Sequence, residues 1–72
     1  MQVVQVKDSK AIKTIAYDDQ TSTMFVKFTD SPMYAYKNVA EKVFNNFSNS
    51  DSKGRFYHQE IKNEYQTLRL DN

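Results

Sequence analysis

The chain has 72 residues, a formal net charge of +1 and no cysteine. That length makes one domain. The composition excludes disulfide support and thiolate chemistry, and a charge so near zero excludes a strongly basic nucleic-acid binder while leaving room for a local basic patch. Five Phe and five Tyr are the means of building a core in so short a chain. Self-association is a further means of stabilising it. One glycine and one proline rule out a low-complexity segment. No apolar run approaches the length of a membrane span. The first seven residues lack the basic flank and apolar core of a signal peptide, so a cytoplasmic setting is expected.

Residues 2–7 are β-branched and short, and read as a strand or extended arm. Residues 11–17 form a strand whose alternation places Ile12, Thr14 and Ala16 on one face and Lys13, Ile15 and Tyr17 on the other. Residues 23–29 carry the clearest alternation. Met24, Val26 and Phe28 make a wholly apolar face, which must be core. After the break at Pro32, residues 33–37 form a third strand with Tyr34 and Tyr36 on one face. Short loops join these strands, so an antiparallel meander is the economical topology.

The period then changes from two to that of a helix. Val39, Val43, Phe44 and Phe47 recur at helical spacing, with Asn38 placed as N-cap and Glu41 as capping-box partner. Phe56, Tyr57, Ile61 and Tyr65, with Leu68 as an extension, predict a second helix. Residues 66–72 are a tail of open structure, either a short edge strand or a cap on the sheet. The expected fold is α+β: a three- to four-stranded antiparallel β-meander followed by a two-helix hairpin packed on one face.

Three groups of residues are candidates for binding. Tyr34 and Tyr36 are either a stacking platform for bases or half-buried core. The turn Ser52, Lys53, Gly54 and Arg55 has two readings. In one it opens a helix, with free N–H groups for an anion and Gly54 admitting a close backbone approach. In the other, Gly54 is the C′ cap of the preceding helix. His58, Lys62 and Tyr65 fall at i, i+4 and i+7; with Arg55 and Arg69 they form a cationic ridge able to meet phosphate, or a solvated face offset by Glu60 and Glu64. One histidine without cysteine cannot build an ordinary zinc site, and neither a phosphate loop nor a nucleophile elbow is present. No cofactor, metal or catalytic residue is therefore expected.

The order of Ser9, Ile12, the run Ile15-Ala16-Tyr17-Asp18, the strand Met24-Phe25-Val26-Lys27-Phe28, the Tyr34-Ala35-Tyr36 triplet, Ser52-Lys53-Gly54-Arg55-Phe56, Ile61 and Tyr65 resembles the KTSC domain family. The resemblance runs over about residues 8–69. Its hallmark is the Tyr-x-Tyr triplet. Here Ser31 stands where the family usually has Gly, Ala40 where a proline often opens the first helix, and His58 where Asn is common. The family occurs at the C-terminus of some lysyl-tRNA synthetases and as stand-alone bacterial and phage proteins, and the resemblance implies RNA as a partner. The expected function is a non-enzymatic binding module for RNA or a small nucleotide-type ligand, with a phage-encoded sequestering inhibitor of nucleotide signalling as one form of it. The alternative is a protein-interaction module, an adaptor or inhibitor that takes a host protein through the apolar edge Val3-Val4-Gln5-Val6. An enzymatic role would need His58 with Tyr65 or Glu60 as an acid–base pair.

Overall fold

The structure, a computed structural model, describes residues 1–70. Five strands form one antiparallel sheet in the order β1-β2-β3-β4-β5: β1 (Gln2–Gln5), β2 (Ile12–Asp18), β3 (Thr23–Phe28), β4 (Met33–Tyr36) and β5 (Thr67–Leu70). Between β4 and β5 come α1 (Glu41–Ser48), a short α2 (Lys53–Phe56) and a π-helical turn (Tyr57–Ile61). The α+β class and the helices on one face follow the alternation of β3, which has one apolar side and needs a cover. Asp71 and Asn72, the end of the expected tail, lie outside the described residues.

The sheet has one strand more than expected from the sequence. The arm at residues 2–5 pairs with β2, Val4 opposite Ile15, and the tail returns as β5 beside β4, Tyr34 opposite Arg69. All four β5 side chains are exposed, and the alternation of Leu68 and Leu70 with Thr67 and Arg69 spans only four residues, too short a run to announce a strand by itself. Backbone pairing with β4 holds it in the sheet.

A bulge corrects the faces assigned to β2. The register shifts between Ile12 and Thr14, and one inserted residue resets the alternation. Ile12 thereby joins Ile15 and Tyr17 in the core instead of sharing a side with Ala16. These three pack with Met24, Val26, Tyr36, Val39, Phe44, Phe47 and Ile61. Tyr17 stacks on Phe44 at 5.3 Å between centroids, and its buried hydroxyl donates to the Val39 carbonyl at 2.6 Å. That bond satisfies a polar group that would otherwise be costly to bury.

Both predicted helices change at their ends. The N-cap of α1 is Ala40, without a side-chain cap bond. Asn38 instead takes a left-handed conformation, φ 57°, which Asn tolerates better than most residues, and the capping box with Glu41 does not form. The second helix begins at Lys53 and ends at Ile61, short of Tyr65 and Leu68. The Lys62 N–H closes a π-type bond on the Tyr57 carbonyl at 2.8 Å. Lys62 itself is extended, and Asn63 is left-handed at φ 67°, which turns the chain towards β5.

A candidate binding cleft between the sheet and the helical segment

Tyr34 and Tyr36 point to the same face as Met24, Val26 and Phe28, because Val26 pairs with Tyr34 and Met24 with Tyr36. The helices cover that face, so the two tyrosines meet different fates according to depth. Tyr36 is fully buried in the core. Its hydroxyl shares a 2.8 Å hydrogen bond with the hydroxyl of Tyr57. Burial first, then that bond, then the phenols of Tyr57 and Tyr34 push its pKa well above the ordinary 10.0. Tyr34 is half-buried and sits at the open end of the same row, its ring edge-on to Phe28 at 5.8 Å.

There a cleft of about 320 Å³ opens between the sheet and the α2–π segment. Tyr34, Phe28 and Ile12 line its floor on the sheet side, and Gly54, Tyr57, His58 and Lys62 its helical side. Tyr57 is the hinge of this arrangement. Its ring meets Phe28 at 5.1 Å and Tyr36 at 6.1 Å, both edge-on, and these contacts fasten the π turn to β3 and β4. His58 follows it with its own ring edge-on at 5.7 Å. The cleft therefore combines aromatic walls with an imidazole and an ammonium at its helical side.

The residues singled out in the sequence divide as follows. Tyr34, Gly54, His58 and Lys62 come together in the cleft, and Tyr36 lies beneath it through Tyr57. Arg69 stands directly opposite Tyr34 on β5, on the face that the helices cover. The Ser52–Arg55 turn is put to another use. The Ser52 hydroxyl accepts from the Arg55 N–H at 3.4 Å, and the Ser52 N–H donates to the Ser50 hydroxyl at 3.1 Å. Lys53, only 8% exposed, donates from Nζ to the Ser50 carbonyl at 2.7 Å. Local groups thus occupy Ser52 and Lys53, while Arg55 is exposed and does not line the cleft. Gly54 is the second residue of α2 rather than a C′ cap, and its φ is not positive. A β-carbon there would meet nothing within 4 Å. Tyr65 packs against the core instead, its pKa raised by burial and then by Glu64 and Glu60. The i, i+4, i+7 ridge does not form, because the helix stops before its last member.

Tyr57 and Phe28 were not singled out for binding. Both are apolar in pattern and read as core. The signal that could have found Tyr57 is its place between Gly54 and His58 on one short helical segment. A larger hollow, about 590 Å³, surrounds the β3–β4 turn at residues 29–33. It has no aromatic lining, and its one cation, Lys27, donates to the Phe28 and Ser31 carbonyls at 2.8 and 2.6 Å. It has less to offer a ligand than the cleft.

Comparison with known proteins agrees with this architecture. The KTSC domain model matches residues 8–65. A protein of Tsukamurella paurometabola is 28% identical over 67 residues, 93% of this chain and 100% of its own length. The crystal structure of a KTSC domain protein from Yersinia pestis superposes with a TM-score of 0.92 at 30% identity, covering 97% of each chain. Sheet, helical segment and motif order together place this chain in the KTSC domain family.

Proposed function

We propose that this domain is a non-enzymatic binding module whose ligand is RNA or a small nucleotide-type molecule. The observation that carries the reading is the convergence of Tyr34, Tyr57, His58 and Lys62 on one open cleft beside Gly54. An aromatic wall accepts the π-face of a base, at roughly 1–3 kcal/mol per stacked base. The ammonium of Lys62 and the imidazole of His58 are placed to meet phosphate. The volume of about 320 Å³ lies at the small end of ligand pockets, ~300–1,000 Å³, so one nucleotide unit fits better than a duplex. Near-zero net charge points the same way, since long polyanions are held by many cations. A stand-alone domain with this property would act by sequestration, as a phage-encoded inhibitor of nucleotide signalling in the cytoplasm of an infected cell would.

The test is a titration of labelled single-stranded RNA and a panel of cyclic nucleotides against the wild type and Lys62→Ala. Salt-sensitive binding that weakens in the variant supports the reading. Absence of binding to every member of the panel removes it.

A second reading is favoured by the open sheet edges at β1 and β5: a protein-interaction module that takes a host protein by strand addition. A stoichiometric partner retained in high salt after nuclease treatment would select it over the first.

A further inference from the structure

Tyr36 and Tyr57 share one hydrogen bond between two hydroxyls, Oη to Oη at 2.8 Å. Each hydroxyl carries a proton, and only one of the two lies between the oxygens. Burial decides which. Tyr36 is 2% exposed, and its hydroxyl is partnered by Tyr57. If Tyr57 donated, the Tyr36 proton would be left in the core without an acceptor, a costly arrangement. If Tyr36 donates, the unused proton belongs to Tyr57, which is half-buried and lines the cleft. This second arrangement leaves nothing unsatisfied in the core. A phenol O–H lies close to the plane of its ring. With the Tyr36 proton on one side of the Tyr57 oxygen, the Tyr57 proton is turned to the other side, away from the core.

The rest of the lining sorts itself around this donor. No carboxylate lines the cleft. His58 and Lys62 stand on the same helical side as Tyr57, and the His58 ring is edge-on to that of Tyr57 at 5.7 Å. The sheet side offers mostly carbon: Ile12, Phe28 and the ring of Tyr34. We propose that the Tyr57 hydroxyl donates to a phosphate oxygen of the ligand, with Tyr36 as the positioning residue that fixes its direction. The inference rests on reading the cleft as a nucleotide site, and it narrows the ligand class to nucleoside monophosphates, linear or cyclic, as against nucleosides or free bases. The phosphate lies against Tyr57, His58 and Lys62, and the base against Phe28 and Tyr34. A base carbonyl could also accept from Tyr57. Phosphate is favoured because an ammonium stands on the same wall, and a hydrogen bond to an ionised acceptor is roughly twice as strong as a neutral one.

Isothermal titration calorimetry of the full chain with nucleosides, and with their linear and cyclic monophosphates, tests this. The wild type should bind the monophosphates more tightly than the nucleosides. Tyr57→Phe should weaken monophosphate binding roughly ten- to a hundred-fold, the range for one hydrogen bond to a charged group, and leave nucleoside binding unchanged. Tyr57→Phe also strands the buried Tyr36 hydroxyl, so it should lower the unfolding midpoint more than Tyr36→Phe does. The double variant Tyr36→Phe, Tyr57→Phe has neither hydroxyl. It should regain most of that midpoint but none of the phosphate affinity. A double variant that regains both would give the pair a structural role only and overturn the proposal. Equal affinity for nucleosides and monophosphates would overturn it too, as would a Tyr57→Phe protein that binds monophosphates like the wild type. Those outcomes leave the cleft standing as a binding site, whereas a wild type that binds no probe removes both.

Discussion

Two lysines and one glycine show what a residue's surroundings do with its chemistry. Lys53 and Lys62 are both cations near the same short helix, but Lys53 is buried against the Ser50 carbonyl whereas Lys62 is exposed beside the cleft. Lys53→Ala should lower stability by about 1.5–3 kcal/mol, the range for hydrogen bonds to charged groups, and leave ligand affinity unchanged. Lys62→Ala should keep stability within ~0.5 kcal/mol and reduce the salt dependence of RNA binding by about one phosphate contact. Chemical denaturation and binding isotherms on both variants check the pair. Gly54 is helical without needing glycine's conformational freedom. Gly54→Ala should therefore raise stability by about 0.5–1 kcal/mol while setting a methyl at the lining of the cleft. A gain in unfolding midpoint together with weaker binding would show that its absent side chain serves the ligand. Tyr36 adds a pH dependence. Its folded pKa is raised above the unfolded value of about 10, so the folded state holds the proton more tightly. The stability this contributes is complete below about pH 10 and is lost as pH rises through the folded pKa. Alkaline denaturation should therefore steepen above about pH 10, and Tyr36→Phe should blunt that loss.

At the scale of elements, what was legible depended on whether a segment buries a face. The β3 alternation announced itself because Met24 and Val26 are fully buried on one side. The row of Tyr34 and Tyr36 was readable as a shared face, but the depth that separates them depends on where the helices end, which no local pattern encodes. The bulge at Ile12 was hidden because a period of two cannot show one inserted residue. The helical spacing of Phe56, Tyr57, Ile61 and Tyr65 ran on past the true end, because Tyr65 reaches the core from beyond the Asn63 turn rather than from the helix. Strand β5 showed only a four-residue alternation of Leu68 and Leu70 with Thr67 and Arg69, and buries none of them. In the cleft, Tyr34, Gly54, His58 and Lys62 were found from residue type, and Tyr57 was missed because an aromatic at a helical core position gives no sign that its edge also reaches an opening. These differences predict a gradient of protection. Amides of β5, held by one neighbouring strand and no buried side chain, should exchange with solvent well before those of β3, which is paired on both sides. Hydrogen exchange followed by NMR would show it, and equal protection in the two strands would contradict it.

Over the whole molecule, one sheet separates two surfaces with different chemistry. The helix side holds the aromatic core and, at its open end, a cleft lined by the His58 imidazole and the Lys62 ammonium. The far side carries an apolar row, Val3, Ala16, Phe25, Ala35 and Leu68, with Lys27 in the row beside it. The family's fold is shared closely by the Yersinia pestis domain, while the contents of the cleft belong to this chain's own side chains. No helix among the described residues is long and apolar enough to cross a membrane. The cleft can be tested without presuming the ligand's biological source, by following backbone and aromatic NMR resonances of the full chain during titration with a nucleotide panel and a short single-stranded RNA. Binding as proposed should move the resonances of Tyr34, Gly54, Tyr57, His58 and Lys62 together, in a saturable and salt-sensitive way. Shifts confined to the outer row around Phe25, or no shifts with any ligand of the panel, would contradict it.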